Sequence, residues 1–270
     1  MDRDEDKRPD PKPRKHPQLW QSYLWYHELT SLRMTHERRI GTIEAGKSNM
    51  DATVERNILE LMPFDALEKL ARKQMCSYGQ ASGPIWDWLT SIRGLGSDYL
   101  PAQLIAQIDD ISKFATVSKL GRFCGVAVID GRAEYGTPNY NRRLKSLLLG
   151  PSQIGDQFVR QHAMPYREIY DDDKERLYRL HPVPLCRKCK IECVRDSVWR
   201  CPGCGATNKG CKLQYTPGHI DSMARRKMVK MFLQHLWVRW RTLEGLPTGE
   251  PYAQAILGHT GIIPPPGGHL

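Results

Sequence analysis

The spacing of apolar positions predicts a chain built mostly of helices. From Leu19 to Ile43, apolar side chains return at Trp20, Tyr23, Leu24, Leu29, Leu32, Ile40 and Ile43, with Arg and Glu between them. That recurrence follows one face of a helix, and Gly41 and Gly46 mark its end. A second helix starts near Asp51, a good N-cap, and runs through Val54, Ile58 and Leu61 to Pro63. A third covers about Asp65 to Met75, with Leu67, Leu70 and Ala71 on one face. Residues 17–77 thus predict a helical hairpin or short coiled coil, closed by the Gly- and Ser-rich loop Tyr78–Pro84.

Further on the helices shorten and the turns tighten. Helix is predicted over Ile85–Arg93, then a turn at Gly94-Leu95-Gly96, then helix again over Ser97–Ile108. Ser112 is placed to cap Lys113–Phe123, and Gly125–Tyr135 reads as a loop or short hairpin. Asn139–Leu149 is helical and ends at Gly150-Pro151, with a short helix over Ser152–His162. Asp171–Leu180 reads as a solvated, charged helix start or linker. After a cysteine-rich segment, a long amphipathic helix runs from about His219 to Leu243. Residues 1–16, with mixed charges and prolines, predict a disordered tail, and 257–270, rich in Gly and Pro, a loose one.

Composition narrows the class. Hydrophobic residues make up 40% of the 270 and charged residues 26%, which suits a globular chain. No run approaches the roughly 18 apolar residues of a membrane span, and the N-terminus lacks the apolar core of a secretory signal. Six of the eight cysteines fall between Cys186 and Cys211. Clustering in one segment of a long chain argues for metal binding in a reducing compartment rather than a disulfide scaffold. Cys76 and Cys124 read as small packing residues. The expected location is the cytoplasm, associated with the nucleoid.

Net charge is +10, and from Cys186 to Gly245 13 Lys and Arg stand against four Asp and Glu. Such an excess favours a polyanion, with nucleic acid the default partner, although basic surfaces are often merely solvated.

The strongest chemical signal is Cys186-x-x-Cys189, separated by eleven residues from Cys201-Pro-Gly-Cys204-Gly205. Each pair can bring two thiolates to one ion, and four cysteines complete a closed tetrahedral zinc site. The expected cofactor is therefore structural Zn2+, held by a small β ribbon over 181–216 with Val194–Arg200 as a hairpin strand. Cys193 and Cys211 are spare thiols or exchangeable ligands. Arg187, Lys188, Lys190, Arg195, Arg200, Lys209 and Lys212 decorate the ribbon and favour phosphate contact, with a protein-facing ribbon as the alternative.

The elbow Gly94-Leu95-Gly96, between Trp88-Leu89 and Leu104-Ile105, has the layout of a helix–hairpin–helix unit. Its backbone amides, including that of Ser97, could meet a DNA phosphate; an ordinary glycine hairpin is the competing reading. Arg142, Arg143 and Lys145 share a helix with Leu144, Leu147 and Leu148, so the cations should face solvent or phosphate. Arg225, Arg226 and Lys227 open the last helix, whose Met228, Phe232, Leu236 and Trp240 read as core. The seven tryptophans read mainly as packing anchors, and His219 and His235 as surface or satisfied core residues.

These residues carry a family resemblance. Ser91-Ile92-Arg93-Gly94-Leu95-Gly96, Leu104 through Phe114, Lys119-Leu120, Gly125-Val126 and Asn139-Tyr140-Asn141-Arg142-Arg143-Leu144-Lys145 resemble the C-terminal domain of the IS-one-ten/IS-one-sixteen insertion-sequence transposases. Met223–Arg241, ending near Pro251-Tyr252, looks like the family's closing helix. The resemblance covers somewhat under half the chain and implies a helix–hairpin–helix domain over 85–165, a closing helix within 217–256, and DNA recombination.

Two departures weigh on activity. The family's RuvC-like nuclease domain has no counterpart before the first helix, and its Ser-Gly nucleophile pair is replaced by Asp130-Gly131-Arg132-Ala133-Glu134-Tyr135-Gly136. Without an activated hydroxyl, attack on phosphate lacks a nucleophile; Tyr135 is a weak substitute.

The expected fold is mostly α: a helical N-terminal hairpin or coiled coil, a helix–hairpin–helix domain, an inserted β zinc ribbon and a C-terminal amphipathic helix. The expected function is that of a DNA-binding transposase-like protein, catalytically degenerate or acting as an accessory or regulator. Two alternatives stay open: an active recombinase with a displaced nucleophile, and a zinc-ribbon protein-interaction adaptor. DNA is the expected partner, with RNA, a second copy of the chain, or a separate nuclease or recombinase subunit as further candidates.

Overall fold

A computed structural model describes residues 13–96, 99–129, 132–133, 139–208, 212–248 and Pro266. Described residues are mostly helical, with three small two-stranded sheets. Ser97, Tyr135, Lys209, Cys211, most of the predicted N-terminal tail, residues 249–256 of the predicted closing segment, and the loose tail apart from Pro266 lie outside them. The chain divides into two units.

The first unit comprises residues 1–86 and 101–111. It holds α1 (Pro17–Glu44), α2 (Thr53–Leu61) and α3 (Phe64–Gln80). The N-cap of α2 is Ala52 rather than the expected Asp51, and no side chain caps the helix; Asp51 lies one residue earlier and accepts from the Thr53 N–H at 2.8 Å. α3 runs five residues past its expected end, because Tyr78, Gly79 and Gln80 continue the helix and the break comes only at Ala81–Gly83. Its buried face is Phe64, Glu68, Ala71, Met75 and Gly79, whereas Leu70 is exposed. The predicted stripe through Leu70 is thus rotated, because the helix turns a carboxylate inward instead. Glu68 accepts from Arg33 of α1 at 2.7 Å, and Glu55 of α2 meets His36 and Arg39 of α1.

α5 (Leu100–Ile108) groups with these helices, apart from its first residue. The division therefore falls inside the predicted 85–165 segment. Just past α5, Asp109 takes a left-handed φ of 66° and accepts from the backbone N–H of Lys15 at 3.0 Å and of His16 at 3.3 Å. Those amides precede α1, so Lys15 and His16 are anchored backbone rather than the end of a loose tail.

The second unit comprises residues 87–100 and 112–270. α4 (Pro84–Ser91) spans the division and leads into the turn at Arg93–Gly96. The one long predicted helix over Lys113–Phe123 is broken. A single 3-10 turn at Ile111–Lys113 is followed by α6 (Val117–Phe123), capped by Thr116 rather than Ser112. The break has a tertiary cause. The Phe114 carbonyl accepts from the Trp237 indole N–H at 2.7 Å and from Arg241 at 3.2 Å, so it is turned away from any helical partner.

Where a loop or short hairpin is predicted, β1 (Val128–Ile129) and β2 (Arg132–Ala133), of two residues each, pair antiparallel. Asn141 caps α7 (Arg142–Leu149), its side chain accepting from the Leu144 N–H at 3.0 Å. Then come α8 (Ile154–Arg160) and α9 (Tyr166–Leu180). Asp171–Asp173 lie inside α9 rather than at its start; Asp171 and Asp172 are exposed as expected, but Asp173 is buried and accepts from Arg176 at 2.7 Å and Lys227 at 2.9 Å. α10 (Pro217–Leu243) is capped by Thr216 and packs along α9.

An aromatic cluster fills this core. Phe158 and Tyr166 stack at 4.7 Å, Phe232 meets both edge-on, and Trp88 lies parallel to Phe232. His235 is a satisfied core residue, 3.0 Å from the Tyr166 hydroxyl. Cys124 is fully buried, and burial raises its thiol pKa, as suits a packing residue.

Candidate metal centre

Between α9 and α10 the chain folds on little apolar surface. The interior consists of Cys186, Cys193, Cys201 and Leu213, edged by Cys189, Trp199 and Ala206. β3 (Leu185–Cys186) pairs with β6 (Leu213–Gln214), and β4 (Val194–Arg195) with β5 (Trp199–Arg200), both antiparallel. The predicted strand over Val194–Arg200 is thus a hairpin.

The two cysteine pairs are built alike. The Lys190 N–H donates to the Cys186 carbonyl at 2.9 Å, and the Gly205 N–H to the Cys201 carbonyl at 2.8 Å. One residue further, the Ile191 carbonyl accepts from the Cys186 N–H, and the Ala206 carbonyl from the Cys201 N–H. Bridges Leu185–Glu192 and Arg200–Thr207 complete the correspondence. Both knuckles need a left-handed residue after their second cysteine: Gly205 at φ 68° and Lys190 at φ 59°. Glycine adopts that conformation freely, whereas lysine is strained there.

The sulfurs of Cys186, Cys189, Cys201 and Cys204 all lie within 4.8 Å of one another. Those of Cys186 and Cys204 are 3.7 Å apart. A tetrahedral ion with metal–sulfur bonds of about 2.3 Å needs ligand sulfurs about 3.8 Å apart. The four cysteines can therefore hold a metal ion. The thiols also compete for protons. Cys186 is drawn down to about 6, first by the Cys189 N–H donating to its sulfur. Cys189 is pushed up to about 12, first because it keeps a proton for Cys204. Sulfurs this crowded cannot all ionise without a cation among them. Cys193 is buried close by and is not among the four.

The surface of this segment is cationic. Arg187, Lys188, Lys190, Arg195, Arg200 and Lys212 are all exposed. No carboxylate comes within ion-pair distance of any of them among the described residues.

The other candidates divide. Arg142 and Arg143 are exposed on α7 opposite the buried Leu144, Leu147 and Leu148, as expected; Lys145 is half-buried, 3.2 Å from the Tyr140 hydroxyl. Arg225 is not available as expected: it bridges Asp156 at 2.9 Å and Asp221 at 3.1 Å. Lys227 is likewise tied to Asp173. Both clamp α10 to its neighbours, because helical rotation points them at α8 and α9. Arg226, between them, is left with one buried guanidinium nitrogen that has no partner.

At the elbow, Leu95 is a core residue: its side chain is fully buried and its N–H donates to the Ile92 carbonyl at 2.9 Å. It offers a phosphate nothing. Gly96 is required internally, since a Cβ there would sit 2.6 Å from the Thr90 carbonyl oxygen. Gly94, at φ 92°, rests against Gln157 of α8. Thr90, Ser91, Ile92, Arg93, Gly94, Gly96, Gln157 and Gln161 line an open groove of about 360 Å³. No helix among the described residues is long and apolar enough to cross a membrane. Comparison with protein-family models, curated proteins and solved structures finds no match to this chain.

Proposed function

We propose that this chain is a zinc-ribbon DNA-binding protein, related to the IS-one-ten/IS-one-sixteen transposases and acting in recombination as a degenerate member, accessory or regulator. One observation carries the reading: a four-cysteine cluster presents Arg187, Lys188, Lys190, Arg195, Arg200 and Lys212 without carboxylate partners among the described residues. Cations left unpaired on a rigid frame release counterions when they meet a phosphate chain. The metal is assigned as zinc, because four cysteine sulfurs at this spacing suit a soft-tolerant tetrahedral ion and leave no open position for catalysis. Exposed Arg142 and Arg143 and the elbow groove supply further contacts to the same polyanion.

The test is metal-dependent binding. Fluorescence anisotropy with a labelled DNA duplex should give saturable binding that chelation abolishes and zinc restores. Binding that survives verified metal loss would refute the ribbon's role.

A second reading has an observation of its own. Ile191, Val194 and Val198 are exposed on the same segment, 41%, 50% and 51% respectively. An adaptor would bury them against a protein. It predicts a co-purifying protein lost on V194S/V198S, with weak duplex affinity; strong duplex affinity unchanged by that double substitution argues against it.

A further inference from the structure

The seam where the cysteine segment meets α10 gathers positive charge from two directions. Arg187 follows Cys186, and its N–H donates to the Lys212 carbonyl at 2.9 Å, so the two basic residues lie side by side. Three residues on, Tyr215 turns the chain with φ 56°, and Thr216 caps α10. The turn is braced. The Tyr215 ring stacks on His181 at 3.4 Å, with His219 on the same stack at 5.9 Å, and the Tyr215 N–H donates to His219 Nδ1 at 3.0 Å. His219, Arg226 and Lys230 then recur at positions i, i+7 and i+11, which places them on one stripe of the helix.

These groups feel one another. The His219 pKa is lowered by burial, then by the charges of Arg187 and Arg226. Lys230 is lowered by burial, then by Arg226. No carboxylate among the described residues reaches Arg187, Lys212, Arg226 or Lys230, while Asp173 and Asp221 are engaged elsewhere. Arg226 keeps one guanidinium nitrogen away from both solvent and any acceptor. Like charges gathered without a counter-ion raise the free energy of the chain alone, and an anion bound among them would relieve that cost.

We propose that this seam is a phosphate clamp, in which Arg187 from the knuckle and Arg226 from α10 grip one backbone phosphate of a nucleic acid, with Lys212 and Lys230 flanking. The inference rests on the DNA-binding reading and adds the place where the strand is held. Guanidinium forks suit the task, since each can donate two parallel bonds to phosphate oxygens. The grip would also fix the cysteine segment's orientation on α10, because its two halves come from different elements.

The test is a double-substitution cycle on the metal-loaded chain with a labelled DNA duplex. R187Q and R226Q should each weaken binding about tenfold. The double variant should lose less than the product of the two, and the log–log salt slope should fall by about one in all. Metal content and helix content should match the parent. If R226Q does not fold, R226K, which keeps the charge but loses the fork, carries the same test with R187Q, again with non-multiplying losses. Tight parental binding with R187Q and R226Q unaffected, or with strictly multiplying losses, overturns the clamp and leaves the DNA reading standing. A parent chain without duplex affinity overturns both.

Discussion

The two units differ in what holds each of them internally. In the first unit α1 and α3 bury Leu19, Tyr23, Phe64, Ala71 and Met75 and set buried carboxylates among them: Glu68 gathers Arg33 and Arg72, and Glu55 gathers His36 and Arg39. The second unit has an aromatic core around Phe158, Tyr166 and Phe232, and beside it a cysteine segment with almost no apolar interior. A long helix can live on partial burial, because its backbone bonds are internal. A segment of two-residue strands has no such reserve, and an ion held by its four cysteines would supply the missing stability.

Metal removal should give the largest effect. Apparent free energies for structural zinc run to roughly 10 kcal/mol or more, so chelation or C201S should unfold the cysteine segment outright. Trp199 fluorescence should redshift while far-UV helical signal largely persists; collapse of the helices as well would erase the contrast between regions. Next is F232A, which removes the ring that Trp88, Phe158 and Tyr166 share, and should cost about 3–5 kcal/mol in denaturant unfolding. E68Q should cost less, about 1–3 kcal/mol, because Arg33 and Arg72 are partly exposed and water can compensate. Added salt should shrink the difference between E68Q and the parent but leave that of F232A unchanged. L70A, on the exposed side of α3, should stay within about 0.5 kcal/mol.

The smallest effect is one of pH. Because the His219 imidazole is held below its ordinary range, the unfolded chain binds that proton more readily. Its contribution is complete above about pH 6.5 and is lost as pH falls toward the lowered folded value. H219Q should therefore flatten the decline in melting temperature between about pH 6.5 and 5. Polyanion binding should raise the same pKa, so duplex affinity should grow as pH drops through that window.

Local signals were legible in the sequence where local chemistry decides. The cysteine spacing identifies the four sulfurs that converge, and apolar recurrence locates nearly every helix. What escaped was decided by partners far along the chain. Ser112 is a reasonable cap in isolation, but the Phe114 carbonyl is claimed by α10, and Thr116 caps instead. Asp171–Asp173 look solvated until Lys227 and Arg176 bury one of them. The elbow's flexible pattern pointed outward, yet Leu95 is its buried plug. The run Arg225-Arg226-Lys227 reads as three equivalent cations, and only packing distinguishes two tethers from one unsatisfied guanidinium. The repeat of one knuckle geometry in the other was visible only as Cys-x-x-Cys, because Lys190 hides a conformation that Gly205 announces.

The most direct measurement is the salt dependence of duplex affinity for the metal-loaded chain. The cationic frame around the cysteine cluster predicts that log affinity falls linearly with log salt, with a slope of about −4 or steeper. R195Q/R200Q should make that slope shallower by about one to two. A flat response in the parent would contradict the account.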